Sequence, residues 1–313
     1  MLGKTANGLF WMYRYIERAE NTSRLVETGQ RIALTRLDSP DDEWHSVMQT
    51  AGVAKAYNRT HDAVTKEAAI DWMLRAKENP SSVLSAISSA RQNARVVRTA
   101  LTHDVWEAMN GCYMALKDVL ARRVNERDLP AVIDLIKERT ALVRGTTQGT
   151  LLRNDIFNFA RIGTFLERAD NIARILDVKY YVLLPSVYSV GSSIDNVQWE
   201  TILRAVSARG GYRMVHGSQA SPRDIAQFLV LDRKMPRSLE FSVTKIRDNL
   251  EYLALDYGER HRSHELAESL KQRFTAHDID AIFDYGLHEF LQDVLGSLNE
   301  LGQQIEKDYR FYE

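Results

Sequence analysis

Apolar residues return every three or four positions along almost the whole chain. Leu9, Met12, Ile16, Ala19, Ser23 and Val26 keep this spacing with a single serine, and Phe159, Ile162, Leu166, Ala169, Ala173 and Leu176 repeat it. Val83, Ile87, Ala90, Ala94, Val97 and Leu101 form a third seam, and Leu239, Val243, Ile246, Leu250 and Leu253 a fourth. That period belongs to helices that bury one face. Start signals agree with it. Ser221-Pro222 reads as an N-cap followed by proline at the first helical position, and Asp128-Leu129-Pro130 offers a similar start. Asp278 is expected to cap a last long helix whose apolar positions run through Ile282, Phe283, Leu287, Phe290 and Leu291. Tyr180–Val190 is the least helical stretch, broken at Pro185. The pattern predicts an all-α chain of ten to twelve helices with no strand.

One phrase occurs twice. Residues 15–27 read YIERAENTSRLVE, and residues 165–177 read FLERADNIARILD. Trp44 and Tyr57 match Trp199 and Tyr212, Trp72 matches Phe228, Pro80 matches Pro236, and Arg91 and Asn93 match Arg247 and Asn249. The register drifts slightly between the motif and the tryptophans, which places a short insertion near Tyr180–Val190. Trp106–Arg123 has no clear counterpart after Tyr257. A repeat of half the chain length means a duplicated unit. The expected architecture is a two-repeat helical bundle with pseudo-twofold symmetry. Residues 1–150 and 151–313 form its halves, packed as one body with the motif helices central.

The helical wheel sorts the motif residues. At about 100° per residue, Ile16, Ala19, Ser23 and Val26 fill one arc, and Tyr15, Thr22 and Leu25 widen it. Arg18 and Arg168 fall at the edge of the apolar arc. Glu17, Asn21 and Arg24 share the polar arc, as do Glu167, Asn171 and Arg174. Glu20 and Asp170 precede Arg24 and Arg174 by one helical turn, the favourable order for an ion pair. Two readings stay open. In one, Glu17 pairs with Arg168 and Glu167 with Arg18, a cross-brace that fixes register. In the other, the arcs enclose a polar pocket. Glu17 and Glu167 are then its acid–base candidates, and Arg18, Asn21, Arg24, Arg168, Asn171 and Arg174 its ligand-binding set. A second basic candidate is Arg91, Arg95 and Arg98, spaced along one helical face.

Composition narrows the field. A net charge of −1 supplies no basic field for nucleic acid. One cysteine excludes an internal disulfide framework and fits a reducing, cytoplasmic compartment. The first residues lack the apolar stretch of a signal peptide, and no apolar run approaches a membrane span. No metal site is expected, because no histidine follows a glutamate by three residues. Cys112 reads as a buried, inert thiol. Trp44, Trp72, Trp106 and Trp199 read as core, while Trp11 lies beside the motif and is placed to line a pocket.

The two Glu-Arg-Ala phrases, with QNARVVR at 92–98 and WEAMN at 106–110, resemble the alpha-E domain family of bacterial helical proteins along the whole chain. That family usually carries a Gly-Arg pair just before each phrase. This chain keeps Arg14 but has Tyr13 for the glycine, and keeps Gly163 but has Thr164 for the arginine. The resemblance implies association with an ATP-grasp amidoligase and a transglutaminase-like protein, in a system that makes or modifies peptides. It implies a peptide-like ligand and names no reaction or cofactor. An alternative role is a non-catalytic helical scaffold for the ligase or peptidase.

Overall fold

A computed structural model describes residues 1–33, 40–182, 193–217 and 221–312. Among them there are fifteen α-helices, one short 3-10 turn and no strand. The first half holds α1 (Gly3–Ala33), α2 (Pro40–Thr50), α3 (Ala54–Tyr57), α4 (Lys66–Leu74), α5 (Val83–Val96), α6 (His103–Val119) and α7 (Leu129–Thr150). The second holds α8 (Asp155–Val182), α9 (Ser193–Ala205), α10 (Arg209–His216), α11 (Pro222–Leu231), α12 (Leu239–Tyr257), α13 (Arg262–Ala276), α14 (Ile279–Tyr285) and α15 (Leu287–Asp308).

The helix number exceeds the expected ten to twelve because periodicity does not register short breaks. Gly286, at φ 112°, ends one helix and opens the next. Asp278 therefore caps the short α14, accepting from the Ala281 amide, and not the long α15. Gly52 at φ 70° divides α2 from α3, and Ser207 at φ 55° divides α9 from α10. Both values lie in the left-handed region, where an α-helix stops. Elsewhere the expected cap at Ser221 forms, and two further serines cap helices. Ser221 accepts from the Asp224 amide, and Ser82 and Ser238 cap α5 and α12. Asp128 precedes Pro130 in α7 but makes no side-chain cap. The segment 183–192, with Pro185 and most of the stretch read as an insertion, lies outside the described residues.

The two motif helices sit at the centre. α1 packs on α8, α5 and α7, while α8 packs on α1, α12 and α15. Their seams are sealed: Leu9, Met12, Ile16, Ala19 and Val26 in α1, and Phe159, Ile162, Leu166, Ala169, Ala173 and Leu176 in α8, are all buried. A Cβ on Gly163 would lie 2.2 Å from the carbonyl oxygen of Phe10. The glycine therefore lets α8 meet the α1 backbone directly.

Two aromatic clusters, one in each half, have similar contacts. Tyr57 stacks on His61 with Trp72 edge-on to both, and Tyr212 stacks on His216 with Phe228 in the same place. α6 packs between α5 and α7, and α13 between α12 and α15. Trp44, Trp72 and Trp199 are buried, while Trp106 is only half-buried.

Candidate functional site

Glu17 and Glu167 face each other's helix, and each receives the other repeat's arginine through two N–H groups. Arg168 donates to Glu17 from Nε at 2.8 Å and from Nη2 at 3.0 Å. Arg18 donates to Glu167 from Nε at 2.5 Å and from Nη2 at 2.9 Å. One turn on, Arg24 forks onto Glu20 and Arg174 onto Asp170. Three of these pairs are bidentate, using the planar guanidinium geometry that matches a carboxylate, while Arg24 gives both N–H groups to Oε1 of Glu20.

Outer partners differ between the two ends. Glu167 also accepts from Arg14 at 2.9 Å. At the equivalent place near Glu17 stands Thr164, whose hydroxyl turns back to the Ala160 carbonyl. Arg237, from the turn before α12, supplies the missing cation. It lies 3.4 Å from Glu17 and 2.7 Å from Glu20. Arg144 of α7 pairs with both acids, and Thr140 donates to Glu20. No motif in the sequence marked Arg144 or Arg237, because neither belongs to the repeated phrase. Tyr13, in place of the first copy's glycine, is buried and bonds Thr147 at 2.5 Å.

Electrostatics follow from this crowding. Burial raises the Glu17 pKa, but Arg168, Arg237 and Arg144 together hold it well below the usual carboxylate range. Glu167 is likewise pushed up by burial and brought down, by Arg18 and Arg14, to about 2. Arg237 pays for its burial: desolvation, with Arg168 beside it, lowers its pKa to about 10. Glu17 and Glu167 are thus fixed carboxylates whose oxygens are occupied by N–H donors. A proton acceptor of depressed pKa is a weak general base, whereas a buried pair of this kind holds geometry well.

The remaining candidates divide. Asn21 is buried, and its amide has no hydrogen-bond partner. Asn171 is half-buried. Arg24 borders a cavity of about 250 Å³ beside the α9–α10 turn. Arg18 and Arg174 border another of about 310 Å³, between the motif helices and α15. These two cavities share no lining residue, so Arg24 and Arg174 open to different places. Trp11 lines the second cavity. The Arg91–Arg98 stripe is not one helical face: α5 ends at Val96, and Arg98 lies in the 3-10 turn. Arg91 bonds Asn110 and sits over Tyr113, Arg98 sits over Trp106, and Arg95 is exposed. Cys112 is buried, which raises its pKa to about 12. Among the described residues, no three His, Cys, Asp or Glu side chains cluster as metal ligands, and no helix is long and apolar enough to cross a membrane.

The described fold is all-helical, and each of its two central helices carries one copy of the Glu-Arg motif. The chain matches the Alpha-E family model, a predicted alpha-helical domain with a conserved ER motif, over residues 1–310, and it belongs to that family. It is similar to an uncharacterised protein of Mycobacterium bovis, with 22% identity over 318 residues, covering 95% of this chain and 35% of the relative. Uncharacterised proteins of Mycobacterium tuberculosis match with the same identity and coverage. The chain thus spans about a third of the length of these curated relatives. No solved structure matches it.

Proposed function

We propose that this chain is the substrate-handling helical component of a peptide-making or peptide-modifying system. It works beside an ATP-grasp amidoligase and a transglutaminase-like protein, the partners that its family resemblance implies. Its two halves act as pseudo-twofold-related units whose Glu-Arg forks brace the motif helices. Glu17 and Glu167 hold that brace, and bond-making chemistry belongs to the partner.

The groove of about 310 Å³ beside α15 carries this reading. Arg18 and Arg174 offer guanidiniums, Asp170 and Glu306 offer carboxylates, and Leu295 and Leu298 give an apolar floor. Trp11 forms a wall, with the Arg14 guanidinium 4.5 Å from its ring centroid. Opposite charges flanking an aromatic and aliphatic surface suit a peptide-like zwitterion, whose carboxylate meets arginine and whose amine meets acid. The test is calorimetric titration of the purified chain with the dipeptide glutamyl-glutamate. Binding that Trp11→Ala and Arg174→Ala each weaken at least tenfold, with melting temperature nearly kept, supports the proposal. Wild-type protein that binds no dipeptide, or variants that bind as well as wild type, would overturn it and leave a scaffold role.

A further inference from the structure

The other cavity has a different chemistry. Five cations line its space of about 250 Å³: Arg24, Arg31, Lys137, Arg204 and Arg209, brought together from α1, α7, α9 and α10. Glu27 is the single acid in its wall. Glu27 is shared between Lys137 at 2.5 Å and Arg31 at 3.0 Å. Just outside, Glu200 lies at the long edge of ion-pair range from three guanidiniums at once: Arg204 at 3.5 Å, Arg209 at 3.7 Å and Arg213 at 3.8 Å. Glu20 is already committed to Arg24, Arg237 and Arg144. Glu27, Glu20 and Glu200 are each divided among several cations, the exposed Asp134 reaches Lys137 at 3.5 Å, and positive charge is left over. The Nε–H of Arg209 is buried and has no acceptor.

The fold does not require this charge. At the matching positions of the first half, Gln49 stands for Arg204 and Ala54 for Arg209. Gly52 stands there for Ser207, and the Arg174 Nη1 approaches it as Arg24 approaches the Ser207 hydroxyl. One half therefore builds the same turn against the same arginine without the added cations. Gathering like charges around a cavity is unfavourable without a counter-charge. A bound anion removes that cost, and guanidinium forks match tetrahedral oxyanions. The lining contains no aromatic ring, so nothing there stacks on a nucleobase.

We infer that the cavity between α1, α7 and the α9–α10 turn is a binding site for a compact, multiply charged phosphate-type oxyanion. It receives either the free anion or the phosphoryl end of a larger molecule. The site is separate from the peptide groove and stands or falls independently of it.

The experiment is calorimetric titration of the full chain with sodium pyrophosphate at pH 7.5, with sodium chloride at matched ionic strength as reference. Wild type and Arg262→Gln, which alters an exposed arginine elsewhere, are expected to bind alike. The Arg204→Gln/Arg209→Gln double variant is expected to bind at least tenfold more weakly. Arg31→Gln, at a side chain more than half exposed, gives a second reading should the double variant fold poorly; there a threefold loss is expected. Titration with ADP separates the sources. Binding as tight as that of pyrophosphate assigns the site to a carried phosphoryl group, and weaker binding to the free anion. Pyrophosphate that fails to bind wild type, or that binds the cavity variants as tightly as Arg262→Gln, overturns the inference.

Discussion

Arg168 carries more of the structure than its single charge suggests. It is buried, fills both oxygens of Glu17 and donates to the Pro236 carbonyl at 3.2 Å. Removing it leaves the buried Glu17 only the longer contacts of Arg237 at 3.4 Å and Arg144 at 3.7 Å, a loss bounded by the roughly 3–5 kcal/mol of a fully broken buried pair. Arg168→Met should therefore lower the melting temperature far more than Arg98→Met, whose guanidinium rests half-exposed over Trp106. Thermal unfolding followed by circular dichroism checks this, and equal small shifts would remove the brace from the account. Glu167 sets a pH dependence. Its folded pKa of about 2 lies below the unfolded value of 4.5. Its contribution is thus present in full above pH 4.5 and lost as pH falls toward 2. A shift of that size amounts to about 3 kcal/mol. Melting temperature should decline across that window in wild type, and less steeply in Glu167→Gln, which starts lower at neutral pH. Parallel acid limbs for the two proteins would contradict the assignment.

At the scale of helices, the contact between α1 and α8 depends on one missing side chain. Gly163→Ala places a methyl against the Phe10 backbone, which has no rotamer with which to yield. The helices must separate, and the Glu-Arg forks lengthen with them. Gly296, on the exposed side of α15, has open space around it. Gly296→Ala should stabilise by roughly 0.5–1 kcal/mol through helix propensity, while Gly163→Ala destabilises by more than that. Chemical denaturation of both variants measures the contrast. These helices were legible in the sequence because a buried seam must repeat with the helical period, and the Glu17–Arg168 and Glu167–Arg18 pairing was one of the two readings that the duplicated phrase left open. The breaks at Gly286 and Ser207 were not legible, since an apolar seam runs on across a single left-handed residue. Arg144 and Arg237 were also hidden. They reach Glu17 and Glu20 from α7 and from a turn in the other half, and only tertiary packing brings such groups together.

Across the whole molecule, the ion pairs tie each half to the other. Glu17 depends on Arg168 and Arg237 from the second half, and Glu167 depends on Arg14 and Arg18 from the first. Arg24 reaches across to the Ser207 hydroxyl. The apolar faces of α1 and α8 also cover each other. A fragment of residues 1–150 would keep Glu17 and Glu20 with Arg24 and Arg144, but would lose two guanidiniums and expose the α1 seam to water. Partly satisfied buried charge and bare apolar surface both favour the unfolded chain. Residues 1–150 and 151–313, made separately, should therefore show helical circular dichroism without a cooperative melt, and mixing them should restore one. Arg168→Met in the second fragment should block that recovery, because the pair that sets the register between the halves is then absent. Cooperative unfolding of either fragment alone would show that the duplicated units are independent domains, and that the crossed Glu-Arg forks orient the halves without being needed to fold them.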